Sequence, residues 1–226
     1  PVLVRLINDA GKLELASGLT GLDFSASALG DYDNDGNLGL LHSGENVTSL
    51  EINFYENNGN GELQRLPFDN DVPALKNGSL AWVDYDQDGD LDLFAAGETN
   101  NGQIAKLFRN DAGDFSEDTY AVFDAPMSPK ALWADYDRDG DKDLALRGLS
   151  SGNPFIAIYQ NNGIRGGFTK LENAQNPFAS LDEASLDWGD INNDGYLDLV
   201  HAGAGSSNPQ TEIYIYNPST GNFDQG

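Results

Sequence analysis

The sequence predicts an all-β fold in which four-stranded antiparallel units repeat along the chain. An acidic loop motif occurs four times, and its first aspartates are 53, 51 and 55 residues apart: Asp31–Gly36, Asp84–Gly89, Asp135–Gly140 and Asp190–Gly195. A hairpin marker, an Asn followed by a Gly-containing turn, occurs at Asn8, Asn57, Asn110, Asn161 and Asn217. No stretch of comparable length has helical periodicity. Four short strands in every fifty-odd residues are typical of β-propeller blades, whose small sheets stack on one another.

Each unit is predicted to contain four strands joined by the acidic loop, a polar connection and a tight turn. In the second unit the predicted strands are Leu80–Asp84, Leu91–Ala95, Ile104–Arg109 and Asp114–Ala121. The whole chain, 1–226, forms one array, in which an N-terminal hairpin, 1–21, acts as a partial blade. The full repeats are predicted at 22–72, 73–124, 125–176 and 177–226.

One large apolar residue stands two places before the first aspartate of each loop: Leu29, Trp82, Trp133 and Trp188. Because packing between repeats requires the same position in every repeat, we expect these side chains in the core between blades rather than on a ligand platform. His42 and His201 lie on the predicted second strands of their units, where we expect a role in the core or in lining a channel.

The acidic loops predict calcium sites. Alternate carboxylates and a glycine bend direct several oxygens to one point, and Ca²⁺ accepts six to eight oxygens in flexible geometry. The predicted ligands are Asp31, Asp33, Asp35 and Asn37 in the first loop; Asp84, Asp86, Asp88, Asp90 and Asp92 in the second; Asp135, Asp137, Asp139, Asp141 and Asp143 in the third; and Asp190, Asn192, Asp194, Tyr196 and Asp198 in the fourth. Four copies in register argue against simple solvated turns.

The four predicted sites should differ in affinity. The first loop has Gly39 where the others have a closing aspartate, and the fourth has Asn192 at its third position. We therefore expect up to four structural calcium ions, with the second and third loops binding most tightly and the first most weakly.

Composition excludes several partners. The chain has 12 Lys and Arg against 37 Asp and Glu, a formal net charge of −25, and phosphate binding needs a basic surface. We expect no nucleic-acid partner and no membrane insertion. The chain has no cysteine, so neither disulfides nor thiolate metal sites are available to it.

The segments around the acidic loops resemble the FG-GAP/VCBS repeat family. They are Ser27–Gly44, Leu80–Gly97, Leu132–Gly148 and Leu186–Gly203. The family includes propellers of integrin α-subunits, fungal lectins and secreted bacterial surface proteins, so the resemblance implies calcium-binding blades and a secreted, extracellular or cell-surface location. The ring of this family usually has about seven blades. We therefore expect that the chain continues beyond these residues, that it closes as a small ring, or that other copies of the chain complete the ring.

Three functions are compatible with the predicted fold and calcium sites. We expect an adhesion, surface-scaffold or assembly module whose partner is a cell-surface protein or glycan, or other copies of the chain in a head-to-tail oligomer or filament. Its contact surface is predicted in the connections Glu98–Gln103, Ser150–Pro154 and Ala204–Thr211. The alternative is a carbohydrate-binding lectin, and the lowest-ranked is an accessory domain of a secreted enzyme. No catalytic motif is present, so we expect no enzyme activity.

Overall fold

The fold is all-β, as the sequence predicts. The computed structural model describes residues 5–9, 12–16, 19–59, 62–67, 71–163, 166–171, 178, 181–205 and 208–226, and for residues 5–9, 12–16 and 183 it describes the backbone alone. These residues form four separate sheets, each of four antiparallel strands, and one two-stranded hairpin. The described part of the chain contains no helix, and so none that is long and apolar enough to cross a membrane.

The four sheets follow one another along the chain as blades, and in each the strands pair in sequence order. Blade 1 contains β3 (Asp23–Gly30), β4 (Gly39–Glu45), β5 (Leu50–Asn57) and β6 (Leu63–Leu66). Blade 2 contains β7 (Lys76–Val83), β8 (Asp92–Thr99), β9 (Gly102–Asp111) and β10 (Asp114–Glu117). Blade 3 contains β11 (Met127–Ala134), β12 (Asp143–Ser150), β13 (Asn153–Asn161) and β14 (Phe168–Lys170). Blade 4 contains β15 (Asp182–Gly189), β16 (Asp198–Ala204), β17 (Pro209–Asn217) and β18 (Asn222–Gln225).

The hairpin that precedes blade 1 pairs β1 (Arg5–Asp9) with β2 (Lys12–Ala16), in the register Asn8 to Leu13. It corresponds to the predicted N-terminal hairpin, 1–21, although residues 1–4, 10–11 and 17–18 lie outside the described part.

The blades stack face to face. The first strands contact their counterparts in order, β3 with β7, β7 with β11 and β11 with β15; within the described ranges, no comparable contact joins β15 to β3. The second strands β4, β8 and β12 are buried along both faces for their first six residues, and β16 is buried less completely. Three apolar cores fill the joints: Leu41, Phe54, Leu93 and Phe108 between blades 1 and 2; Phe94, Leu107, Leu144 and Tyr159 between blades 2 and 3; and Tyr136, Ile158, Leu199 and Tyr214 between blades 3 and 4.

The predicted core position before each loop is partly buried at three of its four occurrences. Trp82, Trp133 and Trp188 pack against the three cores, as expected. The prediction for Leu29 is wrong: its side chain is 62% exposed, because no described blade precedes blade 1. His42 and His201 are almost completely buried, which confirms their expected place in the core.

A repeated bulge shapes the first strand of every blade. In each blade the pairing of first and second strands shifts register near the start of the first strand, for example between Met127 and Lys130. A glycine on the second strand lies against this bulge, and a Cβ there would come within 2.6 to 2.9 Å of its nearest neighbour: Gly44, Gly97, Gly148 and Gly203. This close approach explains why a glycine ends all four of the segments that carry the family resemblance.

Some predicted strand ends are wrong. The last strand of blade 2 was expected to reach Ala121, but it ends at Glu117 because the Asp118 carboxylate accepts the N–H of Tyr120 at 2.9 Å and turns the chain. The predicted connections Glu98–Gln103 and Ser150–Pro154 are two-residue turns, since strands β8, β9, β12 and β13 extend into them. In Ala204–Thr211, strand β17 begins at Pro209, and residues 206–207 lie outside the described part.

Candidate metal sites

The four acidic loops occupy the same place in every blade, between its first and second strands. Their sixth residues, Gly36, Gly89, Gly140 and Gly195, have φ angles of +89°, +95°, +100° and +92°. An L side chain rarely adopts this conformation, so the sixth position requires glycine. Each loop therefore makes the sharp bend that the acidic motif predicts.

Three of the loops bring carboxylates together. Oxygen atoms of Asp84, Asp86 and Asp92 lie within 4.8 Å of one another, and Asp135, Asp137 and Asp143 form the matching group in blade 3. In blade 1 the group is Asp31, Asp33 and Asp35. Oxygen-only ligand sets of this kind suit a hard cation such as Ca²⁺.

The first aspartate of each of these loops has an oxygen that fits a cation. The Oδ1 atoms of Asp31, Asp84 and Asp135 are buried and have no hydrogen-bond partner among the described residues. A buried carboxylate oxygen without a donor is unfavourable, and a bound cation would remove that cost. The residues present therefore fit a metal ion in loops 1, 2 and 3.

The closing aspartate has a second role. Asp92 is fully buried, and its two oxygens accept the N–H groups of Tyr85 at 3.2 Å and Asn110 at 2.9 Å. Burial raises the pKa of Asp92 to about 7, an effect that these two hydrogen bonds oppose and the nearby acidic groups increase. In the third loop burial raises the pKa of Asp143 to about 8 in the same way. A bound cation would favour the ionised form of both groups.

The first and fourth loops differ from this arrangement. Loop 1 has Gly39 at the closing position, so its group uses Asp35 instead, and two of its three carboxylates are exposed. Within the described part of blade 4, Asp190, Asp194 and Asp198 do not form such a group, and Asn192 donates to the Asp194 carboxylate at 2.9 Å. The expected order of calcium affinities stays a prediction.

The remaining predicted ligands lie in the same loops. At the fifth position, Asp88 and Asp139 accept the N–H of the seventh residue, at 3.0 and 2.9 Å, and Asp35 and Asp194 do the same at 2.7 and 2.9 Å. By analogy with the EF-hand loop we predict that the seventh residues bind through their backbone carbonyls: Asn37, Asp90, Asp141 and Tyr196.

Sequence reasoning missed the bonds that join each loop to the following blade. The Asn110 amide donates to the carbonyl of Tyr32 in loop 1 at 2.8 Å, and the Asn161 amide donates to the carbonyl of Tyr85 in loop 2 at 2.9 Å. The signal was present, because these asparagines lie 26 residues after the first aspartate of their own loop (110 − 84 and 161 − 135).

In blade 4 the residue equivalent to Asn110 is Tyr216 and not the predicted marker Asn217. The N–H of Tyr216 donates to the Asp198 carboxylate at 2.9 Å, and the N–H of Asn110 donates to the Asp92 carboxylate in the same way. The carbonyl of Tyr136 in loop 3 instead accepts the N–H of Leu197 at 3.1 Å. The ring of Tyr136 also packs edge to face on Tyr216, so a backbone hydrogen bond and an aromatic contact join loop 3 to blade 4.

A family model for the FG-GAP-like repeat matches residues 84–146 and 135–201, which together are more than half of the chain. The chain belongs to the FG-GAP-like repeat family. Each matched range contains two acidic loops: those of blades 2 and 3 in the first range, and those of blades 3 and 4 in the second. FG-GAP repeats often bind calcium and are typical of extracellular proteins. No curated protein matches the chain.

Proposed function

We propose that this chain is a calcium-stabilised propeller-type module that acts outside the cell in adhesion, surface scaffolding or assembly. The observation that carries the proposal is the buried, unpartnered Oδ1 atom at the same place in loops 1, 2 and 3, each beside two further aspartates. Since each loop joins two strands of its blade and contacts the next blade, a bound ion would stabilise both the hairpin and the joint.

Calcium titration of the chelator-treated chain tests this proposal. We expect a heat of binding by calorimetry and a rise in melting temperature with added Ca²⁺. Asp86→Asn and Asp137→Asn should each remove one site, whereas Asp224→Asn, far from the loops in sequence, should bind like wild type. A melting temperature that does not respond to Ca²⁺ or to chelation would overturn the proposal.

Assembly from copies of the chain is supported by the two outer blades. At every internal joint a tryptophan before one loop lies over the preceding blade, but Leu29 in blade 1 takes the tryptophan place and is 62% exposed. Ile191 in blade 4 takes the place of Tyr32, Tyr85 and Tyr136, and is 42% exposed. Blade 1 of one copy would therefore pack against blade 4 of the next.

Sedimentation velocity with and without Ca²⁺ tests the assembly. We expect calcium-dependent oligomers that Leu29→Asp removes, while Val47→Asp, at a side chain 99% exposed in a turn, leaves them intact. A monomer at high concentration in Ca²⁺ would argue for a self-contained module with another partner.

A cleft between loops 2 and 3 favours the lectin as a second candidate. It has a volume of about 510 Å³, and Trp82, Trp133, Gln87 and Lys142 are among its lining residues. Aromatic walls with a few polar groups are typical of small-ligand sites. A glycan array with wild type and Lys142→Ala tests this candidate, and an array without binding would exclude the glycans tested.

A further inference from the structure

In loops 1, 2 and 3 the fourth residue of the acidic loop contacts the next blade. Asn34, Gln87, Arg138 and Asn193 have left-handed φ angles between +57° and +62°. From loop 1, the Asn34 amide donates to the Asp90 carboxylate of loop 2 at 2.8 Å and to the Gly89 carbonyl at 3.2 Å.

The next joint repeats this contact with a longer side chain. From loop 2, the Gln87 amide donates to the Asp141 carboxylate of loop 3 at 2.6 Å and to the Gly140 carbonyl at 2.8 Å. From loop 3, the Arg138 guanidinium lies 5.7 Å from the ring centre of Tyr196 in loop 4. All three side chains therefore reach the sixth or seventh position of the following loop.

The seventh residues that they reach, Asp90 and Asp141, are predicted ligands that lie in the same loops as the aspartate groups of blades 2 and 3 but are not members of those groups. The N–H of Asp141 donates to the Asp139 carboxylate at 2.9 Å, so the seventh residue and the fifth-position carboxylate are held as one unit. An amide from the preceding blade fixes that unit from outside. In loop 1, which no described blade precedes, Asn37 at the seventh position donates instead to Asp35 within its own loop, at 3.0 Å.

We propose that Asn34 and Gln87 are positioning residues for the metal site of the following blade. The inference rests on the proposed calcium binding. Gln87 lies between Asp86 and Asp88, so an ion that orders loop 2 also orders the amide that reaches loop 3. Because coupling between binding sites is reciprocal, an ion in loop 3 favours binding in loop 2 to the same extent.

Calorimetric titration of the full chain with Ca²⁺ tests the proposal through Gln87 variants. Gln87→Ala should weaken binding at loop 3 by about tenfold, a typical loss when an outer-shell partner of a metal ligand is removed. Gln87→Glu should weaken it further, because a carboxylate there repels Asp141, whereas a purely steric role would make Glu the better substitute. Asn193→Ala, at the equivalent residue of loop 4, is the matched control for local backbone effects.

The Gln87→Ala change made in the Asp137→Asn protein shows at which metal site Gln87 acts. In Asp137→Asn, which removes the loop 3 site, Gln87→Ala should no longer change the remaining affinities. If Gln87→Ala still weakens Ca²⁺ binding in the Asp137→Asn protein, Gln87 acts on its own loop and the inference is wrong. If wild type binds Ca²⁺ and Gln87→Ala binds equally well, the inference alone fails; if wild type binds no Ca²⁺, the proposed function fails with it.

Discussion

The amide nitrogen of Asn110 lies 2.8 Å from the carbonyl oxygen of Tyr32, 78 residues earlier in the chain. The bond joins the hairpin of blade 2 to the acidic loop of blade 1. It recurs between Asn161 and Tyr85, so the blades are linked through their candidate metal loops as well as through their apolar cores.

Asn110→Ala should reduce the free energy of unfolding by about 1–3 kcal/mol, because it leaves the Tyr32 carbonyl without this donor in a partly buried joint. Asn57→Ala is the matched control. Asn57 also accepts a turn N–H, from Gly59 at 3.1 Å, but no described loop precedes its blade. Urea unfolding of both variants measures the difference, and equal losses would show that the turn, not the joint, is what these asparagines stabilise.

Gly30→Ala and Gly189→Ala test the packing of one blade on the next. Both glycines immediately precede the first aspartate of a loop. A Cβ at Gly30 would lie 2.5 Å from the Trp82 ring, whereas one at Gly189 would have no neighbour within 4 Å. We expect a loss of about 1–3 kcal/mol for Gly30→Ala and a change within about 0.5 kcal/mol for Gly189→Ala. Similar melting temperatures for the two variants would contradict this arrangement.

Gly39→Asp should supply the closing carboxylate that loop 1 lacks. The new Cβ would lie 3.2 Å from the Phe54 ring, which requires a small shift of that ring. Because Gly39 is buried, the added charge should destabilise the calcium-free chain and be compensated when Ca²⁺ binds. We therefore expect a lower melting temperature than wild type in chelator and a larger rise on adding Ca²⁺. An equal rise for both proteins would show that the ninth position contributes no ligand in loop 1.

His201 should make the fold sensitive to acid. Burial lowers the pKa of this imidazole, the neighbouring Arg147 lowers it further, and Glu212 opposes them. An unfolded histidine takes up a proton near pH 6.5. The buried one resists it, so the free energy of unfolding falls as the pH drops below about 6.5.

Replacing His201 by Leu, the residue that blade 3 has at the equivalent position (Leu146), should remove part of this dependence. We expect the gain of His201→Leu over wild type in free energy of unfolding to be about 1 kcal/mol larger at pH 5.5 than at pH 7.5. This corresponds to roughly 2–4 °C in melting temperature. Thermal melting at both pH values provides the measurement, and parallel pH profiles for the two proteins would refute it.

The sequence by itself determined the repeated all-β units, the place of the acidic loops and the tryptophans that pack against the apolar cores. These features depend on local chemistry: a glycine bend, alternate carboxylates and a large apolar residue at a fixed distance from the loop. Repetition made these features recognisable, because a pattern found four times in register is not explained by the turn preferences of Asp and Gly alone.

Only the tertiary structure decided how neighbouring blades meet. It left Leu29 exposed, placed Tyr216 rather than Asn217 in the register of Asn110, and showed that Gln87 of one loop holds Asp141 of the next. The contact between Gln87 and Asp141 joins residues about one repeat apart. A sequence pattern within one repeat carries no information about which atoms of the next repeat will approach it. Stacking brings them together, because each blade can bury its apolar faces only against its neighbours.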